Sequence, residues 1–245
     1  MRVVLAGACA VVLAVASLAA AKEAASPYGV GTTLTAGTGG YRRAALYGDA
    51  LWRVRDFSPY ALAEFSADSD VRQFSLLGGT WKDLGRAFRV KGGAGLNFGK
   101  VLDTDDATTS FTLETGAEGD IGDAVAGAEY RFTSGGIGGS RVIRSDSDVL
   151  RIRARGKASS AGVASVEPES FTYHELAGYG SLPLGGTSVS LKLALGIPSY
   201  SDNVVSETLT WKIPIPEHLW VAPSLSLEQG RGSNAYGSLG LYWAF

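Results

Sequence analysis

Apolar and polar residues alternate with a period of two along much of this chain, and no apolar run after residue 21 is long enough to form a membrane-spanning helix. In segment 188–197 one face would carry Val189, Leu191, Leu193, Leu195 and Ile197, and the other face small or polar residues and Lys192. Segments 88–98, 209–213 and 219–227 alternate in the same way. Because one face suits lipid and the other suits water, the pattern predicts β-strands that cross a membrane.

The N-terminal segment is typical of a cleavable signal peptide. Arg2 supplies a positive charge, an apolar run covers residues 3–16, and residues 19–21 form an A-x-A cleavage site. Retention as a membrane anchor is the alternative, but the run is short for a spanning helix. We therefore expect residues 1–21 to be removed and residues 22–245 to form a single domain. Cleavage would also remove Cys9, the only cysteine, so the mature chain would contain no disulfide.

The most specific pattern lies at the C-terminus, where apolar residues occupy every second position and the chain ends on an aromatic residue. The alternating residues are Leu239, Leu241, Trp243 and Phe245. This pattern resembles the C-terminal signal of bacterial outer-membrane barrel proteins, in which a terminal Phe closes the last strand and the barrel-assembly machinery recognises that strand. The resemblance covers the last strand only, so it implies a class and no particular family. It implies a location in the bacterial outer membrane, with outer-membrane lipids and the assembly machinery as partners.

Alternation and resemblance together predict an all-β fold, a transmembrane antiparallel up-and-down barrel with both termini in the periplasm. A soluble β-sandwich also alternates, but the signal peptide, the barrel-like spacing of strands along the whole mature length and above all the C-terminal pattern argue against it. Counting back from Phe245, with short periplasmic turns and longer outer loops, gives about fourteen strands, with twelve as the alternative. Fourteen strands require a short extra strand around 141–144. Pro223 does not fit a strand interior, because proline cannot donate to the ladder.

Charged residues on the predicted inner face are the candidate functional residues. They are Glu114, Glu118, Glu129 and Arg131, followed by Arg151, Arg153 and Arg155, which alternate with less polar residues and would form a row on the wall. One interpretation is a charged constriction that selects anionic solutes. The other is that these side chains pair and fill or stiffen a narrow interior. The sequence leaves both open.

The expected function is a porin-like channel for passive passage of small solutes. A sealed structural or interaction barrel, acting through loops such as 100–108 and 159–169, is the first alternative. The second is an outer-membrane lipid hydrolase, which would need a serine and an acid close to His174. The chain contains no GxSxG or HExxH motif and no Cys/His metal spacing, so we expect no catalytic residue, metal or cofactor.

Two further expectations follow from composition. The formal net charge of −2 offers no broad basic surface, which argues against a nucleic-acid partner. Tryptophans near strand ends, namely Trp52, Trp81, Trp211 and Trp243, are expected to anchor the barrel at the membrane interfaces.

Overall fold

The computed structural model describes residues 28–85, 87–102, 106–137, 169–199, 202–215, 218–230 and 232–245. These residues form β1 (Tyr28–Gly37), β2 (Tyr41–Leu51), β3 (Phe57–Asp68), β4 (Val71–Asp83), β5 (Phe88–Val101), β6 (Ala107–Ile121), β7 (Ala124–Ile137), β8 (Glu169–Leu184), β9 (Thr187–Pro198), β10 (Val204–Ile215), β11 (Leu219–Gln229) and β12 (Ser233–Ala244). A short 3-10 turn, Thr38–Gly40, joins β1 to β2. Within these ranges, no helix has the length and apolar character needed to cross a membrane.

The sheet closes on itself. Each strand pairs antiparallel with its neighbours in sequence, and β1 pairs with β12, where Leu34 stands opposite Leu239. At the end of this seam the Tyr28 amide donates to the Phe245 carbonyl (3.1 Å), and the Phe245 amide donates to the Tyr28 carbonyl (2.8 Å). A closed ring leaves no unpaired edge strand in the sheet, as hydrocarbon requires. The predicted all-β antiparallel barrel is confirmed.

The barrel has twelve strands, the lower of the two predicted counts. β7 pairs directly with β8, and Ile137 at the end of β7 stands opposite Glu169 at the start of β8. The higher count relied on strands within residues 138–168. That segment, with the extra strand predicted around 141–144, lies outside the described residues, as does the predicted signal peptide.

The outer surface of the barrel is apolar. On β9, Leu191, Leu193 and Ile197 are 46%, 49% and 41% exposed, and Leu96 and Phe98 of β5 are exposed to a similar extent. These residues belong to the apolar faces predicted from the alternation. So large an apolar surface would be unfavourable in water, whereas hydrocarbon accommodates it. The alternation therefore produces a lipid-facing belt.

Short turns join the strands at the end of the barrel that carries both termini. β8 and β9 are linked by Gly185 and Gly186 alone, with φ of 54° and 85°. Two consecutive residues with positive φ match the type I′ turn, whose twist suits a hairpin and which favours glycine. Residues 138–168, the longest connection, leave from the opposite end. This asymmetry matches outer-membrane barrels, which have short periplasmic turns and longer outer loops.

Pro223 is accommodated by a local gap in the ladder. On one side it is paired with Leu239 of β12. On the other side the pairing of β10 with β11 passes from Thr210–Ser224 directly to Ile213–Val221. Proline has no N–H to donate, and the interruption falls on the β10 side of Pro223. One short break in one ladder thus resolves the misfit noted in the sequence.

Candidate functional site: the barrel lumen

Charged side chains of β5 to β9 form ion pairs inside the barrel, and this set is here called the lumen network. It comprises Arg89, Lys91, Glu114, Glu118, Glu129, Arg131, Glu175 and Lys192. The strand register explains why they meet, since Glu114 stands opposite Arg131, and Arg131 stands opposite Glu175. Alternate residues of a strand share one face, so these positions all point away from the lipid-facing belt.

Glu114 lies at the centre of the network, and its side chain is only 3% exposed. One carboxylate oxygen lies 3.4 Å from Arg131 Nη2 and 3.6 Å from Lys91 Nζ. The other accepts a hydrogen bond from the Tyr60 hydroxyl. Tyr60 is on β3, and two strands separate it from β6, so this bond passes through the interior of the barrel rather than along the sheet. A carboxylate so deeply buried needs partners of this kind.

Glu129 and Lys192 extend the network to β9. The Glu129 carboxylate lies 3.0 Å from Lys91 Nζ and 2.9 Å from Lys192 Nζ, and Lys192 also lies 3.1 Å from Glu175. Lys91 is on β5, Glu129 on β7 and Lys192 on β9, so the ion pairs connect strands that are not neighbours in the sheet. This geometry braces one half of the barrel across its interior.

A third group of contacts surrounds Glu118. Arg89 Nε donates to its carboxylate at 2.6 Å, and the Tyr179 hydroxyl of β8 donates to the other oxygen at 2.6 Å. The Arg89 guanidinium also lies 4.6 Å from the centre of the Trp81 ring. Trp81 therefore faces the lumen, and the prediction that it anchors the barrel at an interface is wrong. On the inner face, Arg89 and Lys91 make cation–π contacts with the Trp81 ring, which lipid chains could not provide.

The structure thus brings together four of the seven lumen residues predicted from the sequence, Glu114, Glu118, Glu129 and Arg131. All four are in ion pairs, as in the second interpretation, where paired charges stiffen a narrow interior. Arg151, Arg153 and Arg155 lie outside the described residues, and their place on the inner wall stays a prediction.

Sequence reasoning missed several partners in the network, above all Lys91, Glu175, Lys192 and Tyr60. Each occupies an inward position of its strand, so the alternation was an available signal for the inward direction. The signal could not show which residues meet, because contacts across the interior depend on the curvature and stagger of the closed sheet.

The opposite wall of the lumen carries small hydroxyl side chains, here called the hydroxyl wall. It comprises Thr33, Thr35, Thr208, Ser224, Ser226 and Ser238, from β1 and β10 to β12. Thr208 and Ser226 have hydroxyl oxygens 2.9 Å apart, and Ser224 is hydrogen-bonded to Ser238. The wall bounds a cavity of about 420 Å³. Small side chains leave this space open, whereas the cavity that Arg131 of the lumen network borders measures about 180 Å³.

Aromatic and charged residues border this cavity. Tyr41 and Tyr236, with ring centres 5.2 Å apart, lie towards the β1–β2 turn, and Tyr47 lies further along β2 towards the termini. Between these positions Arg43 Nη2 forms an ion pair with Glu64 at 2.6 Å. The cavity therefore combines neutral hydroxyls, a compensated ion pair and aromatic rings.

Glycines on β1 let the tyrosine rings lie against the wall. A Cβ atom on Gly31 would stand 2.3 Å from Cζ of Tyr47, and one on Gly37 would stand 2.3 Å from Cδ1 of Tyr236. Real Cβ atoms do not approach other atoms so closely, so any side chain would push these rings towards the cavity. Part of the high glycine content, 33 residues, thus has a specific use in keeping the lumen open.

The C-terminal residues face the lipid side. Leu239, Leu241, Trp243 and Phe245 are 49%, 43%, 52% and 51% exposed, so all four lie on the outer surface. Trp211 is exposed in the same way. Their recognition by the barrel-assembly machinery stays a prediction, but the alternation on which it rests is present in the last strand.

His174 also lies on the outer surface. Its Nδ1 is 2.6 Å from the Tyr130 hydroxyl, and its ring packs against Phe132, with ring centres 5.1 Å apart. In the described ranges, Tyr130 is its hydrogen-bond partner, and neither a serine nor a carboxylate takes that place. A hydrolase would need both near this histidine.

The protein is similar to known proteins in its fold but not in its sequence. No protein-family model matches the chain, and no curated protein matches its sequence. Among solved structures, the NanC porin has a TM-score of 0.57 at 10% identity, covering 87% of this chain and 98% of that one. The KdgM porin has a TM-score of 0.56 at 8% identity, covering 89% and 99%. The translocator domain of autotransporter NalP from Neisseria meningitidis has a TM-score of 0.57 at 12% identity, covering 96% of this chain and 93% of that one.

At these identities the similarity shows the fold. Together with the closed sheet and the lipid-facing belt, it defines the class of the protein: a bacterial outer-membrane β-barrel with the architecture that porins and autotransporter translocators share. Within this class the contents of the lumen have to indicate the function.

Proposed function

We propose that the barrel is a channel for passive passage of small polar solutes, and that the path runs along the hydroxyl wall. The observation that supports this most directly is the cavity of about 420 Å³ on that side of the lumen. The porin-like architecture agrees with a channel, and we propose no enzymatic activity for the barrel.

The two sides of the lumen differ in what a moving solute would have to displace. On the charged side, Glu114 and Glu129 are held by cations from several strands, and breaking such buried pairs is costly. On the hydroxyl side, serine and threonine side chains are short, neutral and able to exchange hydrogen bonds with water or a solute. A twelve-stranded barrel also has a narrower lumen than porins of 16 to 18 strands, which restricts passage to small solutes.

Single-channel conductance of the refolded protein in a planar bilayer tests the proposal. Ser226→Trp would place a large ring in the cavity and should remove most of the conductance. Thr115→Trp, on the lipid-facing side of β6, is the matched control and should leave it unchanged.

The outcomes separate the alternatives. Absence of conductance in folded, inserted protein would contradict the channel and favour a sealed barrel. Full conductance in Ser226→Trp would place the path elsewhere in the lumen.

The predicted anion selectivity has its own test. If Arg151, Arg153 and Arg155 line the path, changing all three to Ala should weaken any preference for anions, measured as the zero-current potential in a salt gradient. An unchanged potential would remove these arginines from the path without affecting the proposal on the hydroxyl wall.

A further inference from the structure

We propose that the cavity along the hydroxyl wall binds neutral polyhydroxylated solutes, in chemical terms a saccharide unit. This inference rests on the proposed channel and names the class of solute it would favour. Four properties of the cavity carry it: volume, hydrogen-bonding groups, charge balance and aromatic borders.

The volume is suitable for a small ligand. The cavity measures about 420 Å³, within the range of roughly 300–1,000 Å³ that small-molecule sites occupy. It is bounded on several sides by strands of the closed sheet, so a solute in it would contact side chains from more than one direction.

The hydrogen-bonding groups match those of a sugar. The hydroxyl wall contributes six Ser or Thr side chains to the lining. Each of these hydroxyls can donate one hydrogen bond and accept others. Sugar hydroxyls have the same dual character, so a dense group of neutral hydroxyls can pair with them in many orientations. Such adaptability suits a solute that must bind briefly and then move on.

The charges that border the cavity favour a neutral solute. Two cations, Arg43 and Lys192, and two carboxylates, Glu64 and Glu228, contribute to its lining. Arg43 is paired with Glu64 at 2.6 Å, and Lys192 with Glu129 and Glu175. With equal numbers of each sign, the lining offers neither an anion nor a cation a net attraction.

Aromatic rings complete the site. Tyr47 lies against Gly31, is stacked with Tyr242 (ring centres 6.1 Å apart) and contributes to the lining of the cavity. Tyr41 and Tyr236 border the cavity towards the β1–β2 turn. A sugar ring has apolar C–H faces between its hydroxyls, and an aromatic face is the surface on which these pack without losing hydrogen bonds.

Single-channel recording with three trisaccharides tests the inference. The probes are maltotriose, which is neutral, a trimer of galacturonate, which is anionic, and a trimer of glucosamine, which is cationic at neutral pH. Maltotriose should produce the longest current interruptions. The triple variant Ser224→Ala, Ser226→Ala, Ser238→Ala should shorten them on the order of tenfold, because several hydrogen bonds are lost.

Two further variants guard against misinterpretation. Ser110→Ala removes a hydroxyl of the same kind from β6, outside the cavity, and should leave the interruptions unchanged. Tyr47→Leu removes one aromatic face while keeping the hydroxyl wall, and should also shorten them. It therefore tests the site even if the triple variant does not fold.

The results distinguish this inference from the channel on which it rests. A conducting protein that maltotriose does not block, or that the charged trimers block equally well, overturns the saccharide site and leaves the channel in place. If the folded protein does not conduct, the channel fails. Saturation-transfer NMR of maltotriose with the barrel in lipid nanodiscs then decides: transfer that the triple variant abolishes supports the site, and absence of transfer overturns it.

Discussion

The charged half and the hydroxyl half of the lumen are built on strands with the same alternation, yet the cavity beside the hydroxyl half measures about 420 Å³ and the one beside Arg131 about 180 Å³. On β5 to β9, several inward positions carry long ionic side chains that reach past neighbouring strands, as in the bond between Lys91 and Glu129. Shorter inward side chains there, such as Ser110 and Thr112, are hydrogen-bonded to Asn97 and buried. On β10 to β12 and β1, the inward positions carry hydroxyls that bond over short distances, as between Ser224 and Ser238. The difference shows that the side chains at inward positions and the partners they find, rather than strand number alone, decide where a narrow barrel has free space.

The largest effect should come from the centre of the charged half. Glu114→Ala removes the carboxylate shared by Lys91, Arg131 and Tyr60, and breaking a buried ionic cluster should lower the free energy of unfolding by about 3–5 kcal/mol. Urea unfolding in lipid vesicles, followed by tryptophan fluorescence, measures it. Glu114→Gln, which keeps the volume, separates loss of charge from loss of packing. A change below about 1 kcal/mol would show that the network contributes little to stability.

The second-largest loss of stability is expected from a substitution in the wall of the hydroxyl half. Gly31→Ala would bring a Cβ atom against the Tyr47 ring and should cost about 1–3 kcal/mol while also narrowing the cavity. Gly237→Ala is the matched control, since a Cβ atom there meets no atom within 4 Å. Conductance and urea unfolding of both variants check the prediction. Equal behaviour of the two would contradict the role assigned to Gly31.

A smaller effect is expected within the hydroxyl wall. Ser238→Ala breaks the hydrogen bond with Ser224 and should lower stability by about 0.5–1.5 kcal/mol, since a single neutral hydrogen bond is lost beside an open cavity. The same unfolding assay applies. A loss as large as that of Glu114→Ala would remove the distinction between the two halves.

The smallest change in stability is expected at the border between the halves. Lys192→Gln should cost no more than about 1 kcal/mol, because Glu129 keeps its ion pair with Lys91 and the Gln amide can still donate a hydrogen bond to Glu175. It would, however, leave Glu129 and Glu175 less compensated and shift ion selectivity towards cations. The zero-current potential in a potassium chloride gradient measures the shift. Lys82→Gln, which removes a charge stacked on Phe57, is the control and should not alter it.

Much of the fold could be predicted because the barrel imposes its period on the sequence. The lipid-facing residues of β9 and the last strand are on the outer surface as expected, and the inward direction of Glu114 and Arg131 follows from the same rule. The strand count was less certain, because the rule of short inner and longer outer connections required a short extra strand around 141–144, where the residues do not alternate cleanly. β7 pairs directly with β8 although many residues separate them in sequence, and local alternation cannot predict such a pairing.

The site was less accessible to sequence reasoning for a related reason. Inward serines and threonines, such as Ser224 and Ser226, are common in strands and carry no motif. These serines become candidate site residues only because they line the same cavity as Tyr47, and that cavity is formed by strands distant in sequence. The same applies to Tyr60, whose bond to Glu114 joins residues that no local pattern connects.

The pairing of Ile137 with Glu169 has an evolutionary consequence. The two residues that flank segment 138–168 stand side by side at the rim of the barrel. The hydrogen bonds that close the barrel therefore do not depend on the sequence of that segment. A lineage could lengthen, shorten or exchange that part of the gene while inheriting the same membrane scaffold. Selection on that part of the gene could thus proceed without a change in the register of β7 and β8.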